Sequence, residues 1–400
     1  GFRSLVPYVW PIYGPWMSAS LGMSILLVSL PIVLVVDGHG YALAALVAGA
    51  GGAGAAAFAL PVGWATDRWG PARVGAASLG AMVVTATVMA STPRPLVLGA
   101  AHLVFGGSSL AVMLSRQADL TRRIPVALRG RAMSLMGGTM RFSVLLGTVI
   151  GGVLVDLAGA QWTFLAAGIG AAIGIPAVLP GARTPGWEVA PIGVTGPGLI
   201  EVLRANRQRL LHAGLFGMTA ATAREGRMVL LPLVGVALDL RPSTIGILVA
   251  AGYAADLALF PLSGSVMDRF GRLAAMVPAY GLLAVGFLCL LAADSASGVL
   301  VAGLVMGLGN GLSAGSLFTL SSDLAPSKGT ASFLSGVSLL TDIGRVLGPL
   351  LVSMAATWWG LDAAAVVLAT VMAAGLIWLM LTVQPEFVPQ YPMLRPVAPV

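Results

Sequence analysis

Gly63-Trp64-Ala65-Thr66-Asp67-Arg68-Trp69-Gly70-Pro71-Ala72-Arg73 is a charged knot at the end of a long apolar run. Its outline returns as Gly264-Ser265-Val266-Met267-Asp268-Arg269-Phe270-Gly271-Arg272. Two copies 201 positions apart in a chain of 400 residues predict two halves built on one plan. Pro31 and Pro232 repeat at the same spacing. Asp119-Leu120 returns as Asp323-Leu324 at a spacing of 204, a drift that small loop changes absorb. Glycine permits a tight turn at each knot. The Asp and Arg are charges suited to a membrane edge, able to pair with neighbouring helix ends.

Composition says what lies between the knots. The chain is 58% hydrophobic and only 9% charged, with a mean hydropathy of +0.94. A soluble domain carries about 25% charged residues. The expectation is an all-α polytopic membrane protein, because the apolar runs are long, continuous and rich in Ala, Leu, Val and Gly rather than alternating as in a β-barrel. The net charge of +7 is orientation information in short loops, not a nucleic-acid footprint. A single Cys289 excludes an internal disulfide and a cysteine metal cluster. The Gly-x-x-x-x-Gly-Lys-Ser/Thr loop is missing, so ATP is not expected to drive the protein. Neither a nucleophile elbow nor a catalytic-metal spacing is present, so no cofactor, no metal and no enzymatic activity are expected. No cleavable signal peptide is expected, since Phe2-Arg3 leads through Pro- and Trp-rich sequence into a full-length span.

Twelve apolar segments are each long enough to cross, at about 14–36, 41–62, 74–92, 96–118, 131–155, 161–180, 211–237, 243–263, 273–293, 296–320, 331–356 and 361–383. The longest less apolar stretch, Gly181 to Arg209, reads as a linker ending in a short surface helix. It divides the chain into an N-terminal six-helix bundle (1–180), a linker (181–209), a C-terminal bundle (210–383) and a Pro-rich tail (384–400). Sixteen of the 22 Lys and Arg fall on the linker's side; Arg94 and Arg241 fall opposite, and Arg141, Arg224, Arg227 and Arg345 lie inside spans. That bias predicts a cytoplasmic linker and cytoplasmic termini in a cell's inner membrane.

The Gly63-x-x-x-Asp67-Arg68-x-Gly70-x-x-Arg73 pattern resembles the loop signature of the major facilitator superfamily, and the Gly264–Arg272 copy stands where that family carries its weaker second copy. The likeness covers essentially the whole chain. It implies two six-helix bundles rocking about a central site, with Arg68–Asp119 and Arg269–Asp323 as mirrored latches on one side. In the fifth span, Gly147-Thr148-Val149-Ile150-Gly151-Gly152 resembles the family's antiporter signature, with Thr148 where Pro is usual; Gly348-Pro349 is its symmetric counterpart. Such glycines let helices pack at backbone distance. His102-x-x-x-Gly106 resembles an Arg-x-x-x-Gly element linked to proton coupling. His102 takes the Arg position, and imidazole can carry a proton itself.

The remaining signal is Arg224-Glu225-Gly226-Arg227, set in the otherwise apolar run Leu211–Leu238. As a helix that run is about 42 Å long, with Arg224 near mid-depth, where charges cost several kcal/mol unless they pair or face a wet cavity. Arg224 and Arg227 share a face, and Gly226 with Pro232 predicts a discontinuous helix. The buried ionisable set is Arg141, Arg224, Glu225, Arg227, Asp256, Asp342 and Arg345. Arg141 and Asp342 fall at nearly equivalent places in the halves and are expected to face each other, or Asp342 to pair with Arg345 at i, i+3. Four Arg against three acids leave a positive surplus, which an anionic substrate clamped by Arg forks neutralises. Glu225, Asp256 and His102 are the proton-carrier candidates. The expectation is a monomeric carrier in a lipid bilayer, moving a small organic anionic or amphipathic solute against protons, export favoured. Organic-anion uptake, translocation of an anionic lipid, and a receptor without transport are the alternatives.

Overall fold

A computed structural model describes residues 9–123, 126–182, 199–326 and 329–383. The linker stretch 183–198, the tail 384–400 and the side chain of Asp268 lie outside the described set. After a π-turn at Val9–Tyr13, the described residues form fourteen α-helices: α1 (Gly14–Val36), α2 (Tyr41–Trp69), α3 (Pro71–Ala90), α4 (Pro95–Arg123), α5 (Val126–Ile173), α6 (Ile175–Ala182), α7 (Leu199–Ala205), α8 (Arg207–Ala237), α9 (Pro242–Phe270), α10 (Arg272–Leu291), α11 (Ala296–Leu312), α12 (Ser316–Leu324), α13 (Thr330–Trp358) and α14 (Leu361–Thr382). Among these residues, ten stretches are long and apolar enough to cross a bilayer. One of them, Ala132–Leu179, turns at Gly159 (φ 82°) and so supplies two passes. Helix α8, 31 residues long with three charges near its middle, supplies another. These passes account for all the segments marked in the sequence, and the protein is a multi-pass membrane protein.

The repeat is visible in the backbone. Gly70 (φ 84°) and Gly271 (φ 86°) turn the chain between α2 and α3 and between α9 and α10. Gly38 and Asp239, and Gly159 and Gly360, are further pairs with positive φ, all 201 positions apart. An L side chain resists these angles, so the knot glycines are required by the turn itself. Within each half the same close approach recurs: a Cβ on Gly106 would strike the Gly51 carbonyl, and one on Gly307 would strike the Gly252 carbonyl. Helices in lipid associate through such packing rather than through hydrophobic exclusion, which explains why α4 meets α2, and α11 meets α9, at glycine.

The two bundles meet along two seams, α2 with α13 and α5 with α9. Three hydrogen bonds between described residues cross them: Ser353 Oγ to the Ala42 carbonyl, the Ser243 N–H to Asp156, and Arg141 to Asp256. The first two lie at the end away from the linker, and the third lies about halfway along α5 and α9.

Candidate functional site

Helix α8 runs without interruption through Gly226 and Pro232, both buried. The expected discontinuity is therefore not there. Gly226 serves packing: a Cβ on it would press on Leu368, and Gly348 of α13 comes against its backbone. The broken pass is the tenth. Helix α11 ends at Leu312, Gly315 adopts φ 76°, and α12 starts at Ser316. Serine hydroxyls satisfy the carbonyls freed at the break. Ser313 Oγ donates to the Asn310 carbonyl at 2.9 Å, Ser316 Oγ to that of Ser313 at 2.7 Å, and Ser263 Oγ to that of Ala314 at 2.6 Å. Such irregular backbone inside a bundle persists only when its polar groups find partners. The first half has no such break, because α4 is one helix.

The three charges of α8 fan out to three neighbours. Arg224 Nη2 donates to Tyr280 Oη at 2.9 Å and Ser313 Oγ at 2.8 Å, and its guanidinium lies 5.3 Å from the Tyr280 ring centre. It thus sits at the carbonyl end of α11, where the helix dipole favours a cation. Glu225, on the α13 side, lies in the field of Arg345 first and of Arg224 and Arg227 next. Arg227 turns toward α9 and stacks over the Tyr253 ring at 4.9 Å. It is only 3% exposed, yet no carboxylate among the described residues pairs with it. The Tyr253 hydroxyl is buried too, and Arg227 is the side chain it faces.

Tyr253 belongs to a stripe. Asp256 lies three residues on and Phe260 four further, so all three share one face of α9. Asp256 is 1% exposed and is held by both bundles. Arg141 Nε on α5 donates to its Oδ1 at 3.1 Å, and Asn310 Nδ2 on α11 donates to its Oδ2. The Arg141 guanidinium also covers the Phe260 ring at 4.3 Å. Arg141 and Asp342 do not face each other: Asp342 pairs with Arg345 at 3.0 Å along α13, one turn apart. Of the expected residues, the fold gathers Arg141, Asp256 and Arg227 on one stripe. It sets Arg224 against α10 and α11, and puts Glu225, Asp342 and Arg345 on the α13 side. His102 stands apart on α4: its Nδ1 meets the Val47 carbonyl at 3.1 Å, and its buried Nε2 lies against Gly51. Tyr253, Phe260, Tyr280, Ser313 and Asn310 were missed. A lone Asn in the glycine-rich tenth span was the signal available for Asn310; the aromatics look like ordinary apolar residues until their neighbours are known.

The two knots hold differently from the expected latches. Asp119 pairs with Arg116 at 3.3 Å, and Arg116 Nη2 also donates to the Pro71 carbonyl at the start of α3. Asp323 pairs with Arg272 at 3.1 Å. Arg68 lies over Trp64 at 5.6 Å and Arg269 over Phe270 at 5.4 Å instead. The reason is reach: Arg116 stands one turn before Asp119, and Arg272 begins the helix packed beside Asp323. The first pair lies within α4, which Arg116 also ties to α3 through Pro71, and the second ties α10 to α12; neither pair joins the two bundles. Asp67 and Arg73 are exposed, and a Cβ on Gly63 or Gly264 would meet nothing within 4 Å, so no helix uses these two glycines for close approach here. The glycines of the fifth and eleventh passes do pack closely. Gly147 and Gly151 lie against Ser24 and Ile25 of α1, Gly152 against Pro242 of α9, Gly348 against Thr222 of α8, and Pro349 against Gly49 of α2. No group of three His, Cys, Asp or Glu among the described residues is arranged to hold a metal ion.

Two tandem six-pass bundles, with a buried ion pair spanning their seam at mid-depth, make a secondary transporter. The chain belongs to the Major Facilitator Superfamily, whose sequence model matches residues 16–223 and again 213–396, once for each half. No curated protein sequence matches it. Among solved structures, the nucleoside transporter NupG (D323A mutant) superposes with a TM-score of 0.73 at 13% identity, over 94% of this chain and 100% of that one. A POT family transporter in complex with a thioalcohol-conjugated peptide gives 0.77 at 14% identity over 96% of each chain. A POT family transporter in complex with 5-aminolevulinic acid gives 0.76 at 14%, again over 96% of each. At these identities the likeness is one of fold.

Proposed function

We propose that the protein carries a small organic anion by alternating access, with protons as the counter-ion and export as the favoured direction. The observation that carries this reading is Arg227, a guanidinium buried at mid-depth without an acid of its own. A charge so placed is costly unless something compensates it. An anionic group arriving beside Tyr253 does so, and finds a tyrosine hydroxyl free to donate.

The polar stripe next to it supplies the coupling. Arg141 and Asp256 neutralise each other across the seam. Cargo binds at Arg227 while Arg141 holds the ionised Asp256. Once the cargo has left, a proton taken by Asp256 frees Arg141, and the return of Arg141 expels that proton before the next anion loads. Proton and anion thus occupy the carrier in turn, and one proton moves against one anion, with Glu225 beside Arg345 as the alternative carrier. Each seam carries a hydrogen bond at the end away from the linker, which supports loading from the side of a cytoplasmic linker. That direction agrees with the glycine-rich fifth pass and with export. Each charge carried through the field contributes about 2.3 kcal/mol per 100 mV.

The test is binding first, then flux. Purified protein is screened by thermal shift against organic anions, drugs and lysolipids, since a ligand bound to the folded state raises its apparent stability. An organic anion should stabilise wild type and not Arg227→Ala. In proteoliposomes carrying that anion, Asp256→Asn should abolish flux driven by a pH gradient. Full gradient-driven flux in both Asp256→Asn and Glu225→Gln would reject the proton role.

A further inference from the structure

The two seams are not equivalent at the end away from the linker. On the α2–α13 seam the contact is neutral: Ser353 Oγ donates to the Ala42 carbonyl at 2.8 Å, and Pro349 lies against Gly49. On the α5–α9 seam the contact is charged. Asp156 Oδ2 accepts the backbone N–H of Ser243 at 2.9 Å. Ser243 is the second residue of α9, so its N–H is one of those a helix cannot satisfy from within. The carboxylate also sits at the positive end of that helix's dipole. Asp156 belongs to one bundle and α9 to the other, so the cap is supplied across the seam. Arg241, just ahead of α9, adds a formal positive charge at the same end. The repeat position of Asp156, 201 residues on, is Thr357, and its hydroxyl turns back to the Ser353 carbonyl of its own helix at 2.8 Å.

We infer that Asp156 is the latch of this end, a positioning residue for the step in which the bundles part away from the linker. Opening there must pull Asp156 off Ser243. Both groups then gain water: Asp156 is already exposed, so the latch breaks and remakes in every turn at small cost. The role is independent of the cargo, and the repeat copy cannot share it, because a threonine bonded to its own helix carries no charge to the other bundle. Removing an N-cap carboxylate shifts the open-to-closed ratio by about tenfold, the middle of the range for lost helix caps.

The experiment reads that ratio directly. Spin labels go on Ser91→Cys in one bundle and Ala292→Cys in the other, in a Cys289→Ala background, with the protein in lipid nanodiscs and no substrate added. Asp156→Ala should raise the long-distance population about tenfold relative to the short. Asp156→Asn, which keeps an accepting oxygen but no charge, should fall between, and Asp156→Glu should restore the wild-type distribution. Thr357→Ala should leave it unchanged. An unaltered distribution in Asp156→Ala overturns the inference, and so does an equal shift in Thr357→Ala, which would mean that any lost hydroxyl or carboxylate loosens this end.

Discussion

Removing either partner of the Arg141–Asp256 pair should not cost the same. Arg141→Ala strands a carboxylate that is 1% exposed, with Asn310 as its remaining donor. Breaking a buried pair from one side typically costs 3–5 kcal/mol; the surviving Asn310 bond brings the expectation here to about 2–3 kcal/mol. Asp256→Ala strands the arginine instead. Its side chain is 20% exposed and rests on Phe260 at 4.3 Å, so the guanidinium can turn to water along its own stem. About 1 kcal/mol is expected from that side. The double variant leaves neither charge behind and should cost less than the sum, with a coupling of about 1–2 kcal/mol. The assay is a double-mutant cycle on unfolding of the purified protein in detergent, followed by tryptophan fluorescence. Strict additivity, or a larger loss in Asp256→Ala than in Arg141→Ala, would show that the pair does not bridge the bundles as described.

Three other outcomes follow from the geometry. Arg224→Ala should lower the unfolding midpoint while sparing the affinity for organic anions, because Arg224 is committed to Tyr280 and Ser313; Arg227→Ala should do the reverse. Gly271→Ala should destabilise by about 1–3 kcal/mol through its φ of 86° alone, since nothing lies within 4 Å of the added methyl; a neutral result in the same unfolding assay would refute the turn argument. Gly307→Ala forces a methyl into the Gly252 carbonyl and should lose about 1–3 kcal/mol, whereas Gly264→Ala, with open space around it, should stay within about 1 kcal/mol of wild type, the propensity gain included.

Much of the fold was legible in the sequence. Apolar run length and the 201-residue echo are local and periodic signals, and they place most passes to within a few residues, as at Gly14–Val36; α2 and α9 run seven residues past the expected ends at 62 and 263, into the charged knots. The mid-depth charges were legible too, because polar residues in oil are conspicuous. Their partners were legible only within one helix, as for Asp342 and Arg345. Spacing along one chain says that Arg224 and Arg227 share a face, but the neighbours on that face come from helices far away in sequence: Tyr280 and Ser313 for one, Tyr253 for the other. The knot pairs failed for the same reason. Arg68 lies near Asp119 by family analogy, yet Arg116 is nearer along its own helix. Gly226 and Pro232 are helix-weakening residues and point to a break in α8; packing from α13 and α14 holds α8 whole. The tenth pass broke instead, where three small residues, Ser313, Ala314 and Gly315, sit together among hydroxyls that can take up the loose carbonyls.

That joint makes the two halves mechanically unequal although they share a blueprint. A continuous rod such as α4 transmits a push along its whole length, while a rod severed at Gly315 lets its upper and lower portions tilt separately. The severed rod also carries Asn310 above the joint and Ser316 below it, so any swivel at Gly315 alters how Asp256 and Tyr280 are held relative to one another. One half is thereby a stiff frame, and the other a lever with a wrist beside the charges it must rearrange.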